Sequence, residues 1–284
     1  KDEDSKAINE SSIKILGDNS VGMFGKVKAT VQNTGTIDLG TAGSSLTGLI
    51  GMFGQSSNAS EPVKIENLGG TINVNTESSA GMYADNSSGT VSNVTLENTG
   101  TININRKKSA GIYAPKSTVS KVGKVNLDNV ANGASAVYIE DGGVVTAAET
   151  AEINLGTANQ NRVAYYVKNA GTSIGGANVG TVKGYGVGVY LEGTKANPTA
   201  TPAVPASQAT LGANAPELKF NNGTTDGNGI IGLYLKGDTD ISAYNKKITV
   251  GDTVTIGKDI APAIAIYSEK QGVSGTPYVI KADI

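Results

Sequence analysis

Along this chain the apolar residues come in short alternating bursts, not in helical stripes. Two bursts, "SAGMYA" at 79–84 and "SAGIYA" at 109–114, differ by one apolar exchange and lie thirty residues apart. Aligned on the aromatic, similar bursts recur at Phe24, Phe53, Tyr83, Tyr113, Tyr138, Tyr166, Tyr190, Tyr234 and Tyr267, with steps of 29, 30, 30, 25, 28, 24, 44 and 33 residues. The position before the aromatic holds Met23, Met52, Met82, Ile112, Val137, Tyr165, Val189, Leu233 and Ile266. Three before it stand Val21, Ile50, Ala80, Ala110, Ser135, Val163, Val187, Ile231 and Ile264, and the position after it is mostly apolar again. Two after it runs a polar column, including Lys26, Asp85, Glu140, Lys168, Glu192, Lys236 and Glu269, broken by Pro115. Apolar side chains at odd offsets and polar ones at the second give a period of two, the mark of a strand with one buried face. The aromatic shares the polar parity and should point outward. Two before the aromatic only Gly or Ala occurs, from Gly22 to Ala265. The same parity puts this small column on the outer face, low beside the rings.

A second burst accompanies the first: "NTGTIDL" at 33–39, "NLGGTINV" at 67–74 and "NTGTINI" at 98–104. A repeat of 24–33 residues, built from several short strands with Gly, Asn and Thr at the turns, predicts an all-β fold. That fold is a parallel β-helix (β-solenoid) of about nine turns. Each strand pairs with its counterpart one turn away, ~4.8 Å along the rod, and crossover chirality favours a right-handed coil. Leucine-rich repeats lack support, because L-x-x-L-x-L is absent, and propeller blades would be longer and antiparallel. Stacking makes further demands on particular columns. Asn33, Asn67 and Asn98 should form an amide ladder. Charges alternate in sign from Glu140 through Lys168, Glu192 and Lys236 to Glu269, and Glu77 lies one turn below Lys107. Each exposed pair of this kind contributes roughly a few tenths of a kcal/mol.

The 44-residue step contains "TKANPTATPAVPASQATLGANAPE", residues 194–217, with four of the eight prolines. Proline cannot donate to a central ladder, so this segment is expected to project from the rod as a loop and to serve as a second candidate binding element. The pattern then resumes in "IIGLYLKG" and "APAIAIYSEK", so residues 1–284 read as a single solenoid domain. The polar opening "KDEDSKAINESS" and the strand-like close "YVIKADI" suggest a piece of a longer rod.

Composition narrows the chemistry. Net charge is −2, and Arg106 and Arg162 are the only arginines. That speaks against nucleic acid as a partner, since phosphate recognition needs a basic field. With no His and no Cys, there can be no disulfide, thiolate metal site or His-activated nucleophile. Asp238 and Asp240 in "GDTD" have no partner cluster for two-carboxyl hydrolysis, and "TTDGNGI" at 224–230 lacks the spaced ligands of a calcium loop. No enzymatic activity, metal or cofactor is expected. No apolar run approaches the ~20 residues that span a bilayer as a helix.

The repeated "N-x-G-x-I-x-(V/I)-N … S-x-G-(M/I)-Y-A" turns, strongest over 19–114, resemble passenger domains of type V autotransporters. They are most similar to the large outer-membrane adhesins of fusobacteria. The resemblance implies a β-helical rod on the bacterial surface, held in the outer membrane by a C-terminal β-barrel outside this sequence. It also implies attachment to host cells or other bacteria through glycan or protein receptors. The outward rings Tyr83, Tyr113, Tyr138, Tyr166, Tyr190, Tyr234 and Tyr267 are the candidate ligand-binding residues, because aromatic rings pack well against sugar faces. Two other functions stay open: a stalk that only spaces a distal tip, and a carbohydrate-active β-helix enzyme.

Overall fold

A computed structural model of the protein describes residues 4–269 apart from 59, 87–92, 129, 158–160, 171–172, 195–206, 221–229 and 251–263. The pattern of the sequence becomes three stacked parallel sheets. The first holds six strands: Ser5–Asn9, Ala29–Asn33, Val63–Asn67, Val94–Asn98, Thr118–Lys121 and Val144–Val145. The second holds seven: Ser12–Ile15, Thr36–Leu39, Thr71–Val74, Thr101–Ile104, Lys124–Leu127, Glu152–Asn154 and Thr181–Lys183. The third holds nine: Val21–Lys26, Ile50–Gln55, Ala80–Asp85, Ala110–Pro115, Ser135–Glu140, Val163–Lys168, Gly186–Gly193, Ile230–Gly237 and Ile264–Ser268. The chain visits the three sheets in turn, and each strand pairs with the strand one circuit away. This is a parallel β-solenoid. Among the described residues the only helical turn is a 3-10 turn at Ala148–Thr150.

Register follows the sequence columns without slippage in the third sheet. Phe24 pairs with Phe53, and the series then runs through Tyr83, Tyr113, Tyr138, Tyr166, Tyr190 and Tyr234 to Tyr267. Met52, Met82, Ile112, Val137, Val189 and Leu233 are buried, as their parity requires. They meet Ile37, Ile72, Ile102 and Val125 of the second sheet and Val31, Ile65 and Leu96 of the first in one continuous core. Tyr165, the one aromatic in this inner column, is fully buried, and its hydroxyl donates to the Val179 carbonyl at 3.0 Å.

The small column two before the aromatic departs from the expected parity. A Cβ on Gly81 would lie 2.8 Å from the Gly111 carbonyl oxygen and 3.0 Å from Ile102 Cγ2. One on Gly111 would lie 2.6 Å from the Ala136 carbonyl oxygen and 3.0 Å from Val125 Cγ1. These glycines therefore face inward, at the corner where the chain turns from the second sheet into the third. The ladder skips them, pairing Ala110 with Ala80 and then Ile112 with Met82. The corner breaks the pleat, and side-chain parity holds only after it.

The expected amide ladder is present and one residue longer. Asn9 Nδ2 donates to Asn33 Oδ1 at 2.7 Å, Asn33 to Asn67 at 2.8 Å, and Asn67 to Asn98 at 2.7 Å. Asn98 ends the series on the Val122 carbonyl at 2.6 Å. A second, half-exposed ladder was not anticipated: Asn73 donates to Asp38, Asn103 to Asn73 and Asn126 to Asn103, at 2.8, 2.8 and 2.9 Å.

Of the expected projecting loop at 194–217, the part from Ser207 onward lies along the rod. Thr194 and Ser207 pair across it as an isolated antiparallel bridge. Ala209–Thr210 then lies parallel to Thr239–Asp240, and Leu211, Ala215 and Leu218 are buried in the core. The run after Pro205 regains backbone donors and apolar residues, so it rejoins the rod. Residues 195–206 lie outside the described residues, as do 224–229 of the glycine-rich stretch and the closing run 278–284.

The two ladders differ in burial, which makes them a test of the stacking argument. Asn67 is fully buried, donates to Asn98 and to the Gly70 carbonyl, and accepts from Asn33. Asn67→Ala should cost about 2–3 kcal/mol, because its former partners stay buried without replacement. Asn103→Ala, half-exposed, should cost under about 1 kcal/mol. Denaturant unfolding of both variants measures the contrast; equal losses would show that burial does not govern the ladders.

Candidate functional site

The outward aromatic column forms a continuous ladder of rings. Phe53, Tyr83 and Tyr113 stack nearly parallel, with centroids 5.1 and 4.9 Å apart and interplanar angles of 8°. Tyr138, Tyr166, Tyr190 and Tyr234 form a second parallel run at 4.6, 4.7 and 4.5 Å. Between them, Tyr113 and Tyr138 meet edge to face, at 4.8 Å and 90°. Within a parallel run each ring covers its neighbour's face. At the perpendicular junction a ring face is not covered by a parallel ring, so the column changes character there.

The hydroxyls reach toward the column two after the aromatic, one turn further along. Where that turn supplies a glutamate, the hydroxyl donates to it: Tyr113 to Glu140 at 2.7 Å, Tyr166 to Glu192, and Tyr234 to Glu269 at 3.2 Å. Above Tyr138 the same place is taken by Lys168, and above Tyr190 by Lys236. Above Tyr83 it is Pro115, so no carboxylate stands there. The alternating charges close into ion pairs, Lys168 with Glu140 at 2.8 Å and Lys236 with Glu192 at 3.4 Å. Lys107 pairs with Glu77 at 3.4 Å, as expected from their columns.

This environment favours the neutral phenols. Burial, then the nearby carboxylates, raises Tyr83; burial and the hydrogen bond to Glu140 push Tyr113 well above the ordinary range. Tyr138 is pushed up to about 12, chiefly by burial and by Glu140, against the opposing pull of Lys168. Tyr234 is pushed up to about 12 by burial and its bond to Glu269.

Beside the ring junction the surface dips into a trough of about 490 Å³. Tyr83, Tyr113 and Tyr138 form one wall, and the turn residues Gly48, Ser78, Lys108 and Gly133 form the other. Ile50, Ala80, Ala110 and Ser135 lie along its floor. The dip has a simple cause. This column carries Val21 and Ile50 at one end and Val163, Val187, Ile231 and Ile264 at the other, but Ala80, Ala110 and Ser135 between. Three successive small side chains lower the floor where the ring column turns. The trough spans four turns, about 14 Å at the usual strand spacing.

The opposite wall is a column of left-handed backbone. Asn19, Gly48, Ser78, Lys108 and Gly133 all stand five residues before their aromatic, with φ of 52°, 71°, 51°, 56° and 69°. Glycine and asparagine reach this conformation readily; Ser78 and Lys108 do so at a cost. Ser79 Oγ accepts from Leu49 N at 3.0 Å and Ser109 Oγ from Ser79 N at 3.2 Å, tying successive turns of this wall together.

Tyr166, Tyr190, Tyr234 and Tyr267 continue the ladder beyond the trough without lining it. Asp238 and Asp240 act in turns. Gln208 Nε2 donates to Asp238 at 3.2 Å, and Ser242, by side chain and backbone, holds the Asp240 carboxyl below its usual range. Among the described residues no cluster of three acidic side chains could hold a metal, and no helix is long and apolar enough to cross a membrane.

The raised phenols make stability depend on alkaline pH. An unfolded tyrosine ionises near ~10, whereas Tyr138 and Tyr234 keep their protons to about 12. Above ~10 the unfolded chain loses protons that the folded one retains, so stability is full below ~10 and falls as pH climbs through the raised values. Phenolate absorbance followed together with circular dichroism should show tyrosine ionisation delayed past the ordinary range and arriving with loss of β signal. Full ionisation at the ordinary pH in an intact fold would contradict the buried, carboxylate-bonded arrangement.

Residues 1–109 match the family described as the BigA fourth domain. No curated protein and no solved structure matches the chain. The matched segment covers Gly48, Ser78, Tyr83 and Lys108 of the trough, while Tyr113 and Tyr138 lie beyond it. Over that segment the chain is similar to an adhesin-type domain, which points to a bacterial protein related to surface adhesins.

Proposed function

We propose that the chain is a ligand-binding part of a bacterial surface adhesin, in which a rigid solenoid presents the tyrosine-walled trough to a carbohydrate chain on a host cell or another bacterium. The carrying observation is a coincidence of two independent columns. The ring ladder turns perpendicular between Tyr113 and Tyr138, at the same turns where Ala80, Ala110 and Ser135 lower the floor. Aromatic rings walling a groove give a sugar ring apolar surface to pack against, and the neighbouring stacks hold the wall in place. Tyr166, Tyr190, Tyr234 and Tyr267 then support the wall by stacking. The role is binding without turnover or cofactor. The repeat grammar shared with type V autotransporter passengers favours display on the outer face of the outer membrane, with the membrane contact made by a separate β-barrel.

Tyr113→Ser and Tyr138→Ser separate this role from a purely structural one, with Tyr190→Ser as the control outside the trough. Each loses stacking worth about 1 kcal/mol, so all three should melt somewhat lower than the parent. The double variant Tyr113→Ser/Tyr138→Ser should lose about ten-fold or more in glycan or cell binding, while Tyr190→Ser keeps it. Parent-level attachment by the double variant would leave the rings structural and the rod a spacer.

A further inference from the structure

We infer that the trough takes an acidic sugar, carboxylated or sulfated, and that Lys108 pairs with its charge. The inference rests on the carbohydrate-binding reading and names the ligand class for that same site. Among the described residues that line the trough, Lys108 alone is charged. It belongs to the basic run Arg106-Lys107-Lys108, in which the first two residues converge on one carboxylate, Glu77, at 3.9 and 3.4 Å. Three cations against one carboxylate give this run and its partner a net positive charge. Acids elsewhere on these turns hold other partners. Asp18 accepts from Thr47 N at 2.7 Å, Asp85 from Gln55 Nε2 at 3.1 Å, and Glu140 binds both Tyr113 and Lys168 on the outer side of the ring wall.

Backbone conformation adds an independent argument. Lys108 sits at φ 56°, with Ser78 and Gly133 at the same place on the adjacent turns. A turn needing this conformation is best served by glycine or asparagine, and lysine is a costly choice for architecture alone. Strained residues persist where a site uses them, and this one lines the same trough as three tyrosines. A sugar lying along the trough can set its apolar face against the ring junction. Its anionic group then meets Lys108 in a charge-assisted hydrogen bond.

The test uses the intact protein and immobilised oligosaccharides in three forms: sialylated or uronate-bearing, sulfated, and the same chains with carboxyls reduced to alcohols. The parent should bind an acidic form several-fold more tightly than its reduced counterpart, and the preference should shrink as salt rises. The carboxylate and sulfate arms tell which anion is preferred. Lys108→Gln should lose the preference while keeping the weaker binding of the reduced chain. Lys108→Gly should lose the preference as well, with a melting temperature no lower than the parent's, since it relieves the left-handed turn; unfolding therefore cannot account for the loss. Equal binding of acidic and reduced chains, or an acidic preference unchanged in Lys108→Gln, overturns the assignment. If reduced chains bind and depend on Tyr113, the carbohydrate trough stands and only the charge assignment falls. If no chain binds in any form, both fall.

Discussion

In-register parallel stacking is the constraint on which the rest of this protein depends. Each turn sits ~4.8 Å from the next, and each residue lies against the residue of its own column. A column must therefore consist of side chains that tolerate their own kind. Amides do, because each carries a donor and an acceptor, and Asn9, Asn33, Asn67 and Asn98 form a buried series on that basis. Apolar side chains and aromatic rings do as well. Like charges do not, and the polar column of the third sheet alternates Glu140, Lys168, Glu192 and Lys236 so that carboxylates meet ammonium groups. Where a column loses its residue type, the feature ends: the first sheet shifts register after Leu96, no asparagine follows Asn98, and the ladder closes on a backbone carbonyl.

That same constraint explains what the sequence made legible. Like-over-like stacking is written directly as repetition, so the nine-member aromatic column, its register and the buried column before it could be read from spacing alone. The buried amide ladder followed for the same reason. Features that depend on how the chain turns corners could not be read. Gly81 and Gly111 share the parity of the rings but face the core, because the pleat breaks at the corner they occupy. The left-handed column was hidden because Ser78 and Lys108 stand where glycine would have announced it. The end of the insertion was misplaced because a proline-rich run does not mark where its last residues rejoin the ladder, as Ala209 does.

The trough was missed for a different reason: it is made by a deficit. Ala80, Ala110 and Ser135 pass as acceptable members of a mostly apolar column, and a small side chain gives no chemical signal. The signal that could have found it is a change of volume within a column, from Val21 and Ile50 down to alanine and serine and back to Val163. In a repeat protein such a dip, sustained over consecutive turns, gives up apolar burial of about 0.8 kcal/mol for each methylene removed. Stability alone gives no reason to keep it.

Ring stacking and ligand binding are commonly treated as competing accounts of an aromatic column, but here one limits where the other can occur. Parallel stacking covers ring faces, so most of the ladder offers only edges and hydroxyls to solvent. The parallel stacking is broken where Tyr113 and Tyr138 meet edge to face, and there the rings change the surface they turn toward the groove. Rings on either side remain stacked at 4.9 and 4.6 Å, so this part of the wall is immobilised by its neighbours. Little side-chain entropy is then lost on binding. The ladder thus supplies rigidity, and its one perpendicular step lies over the lowered floor, where the proposed recognition falls.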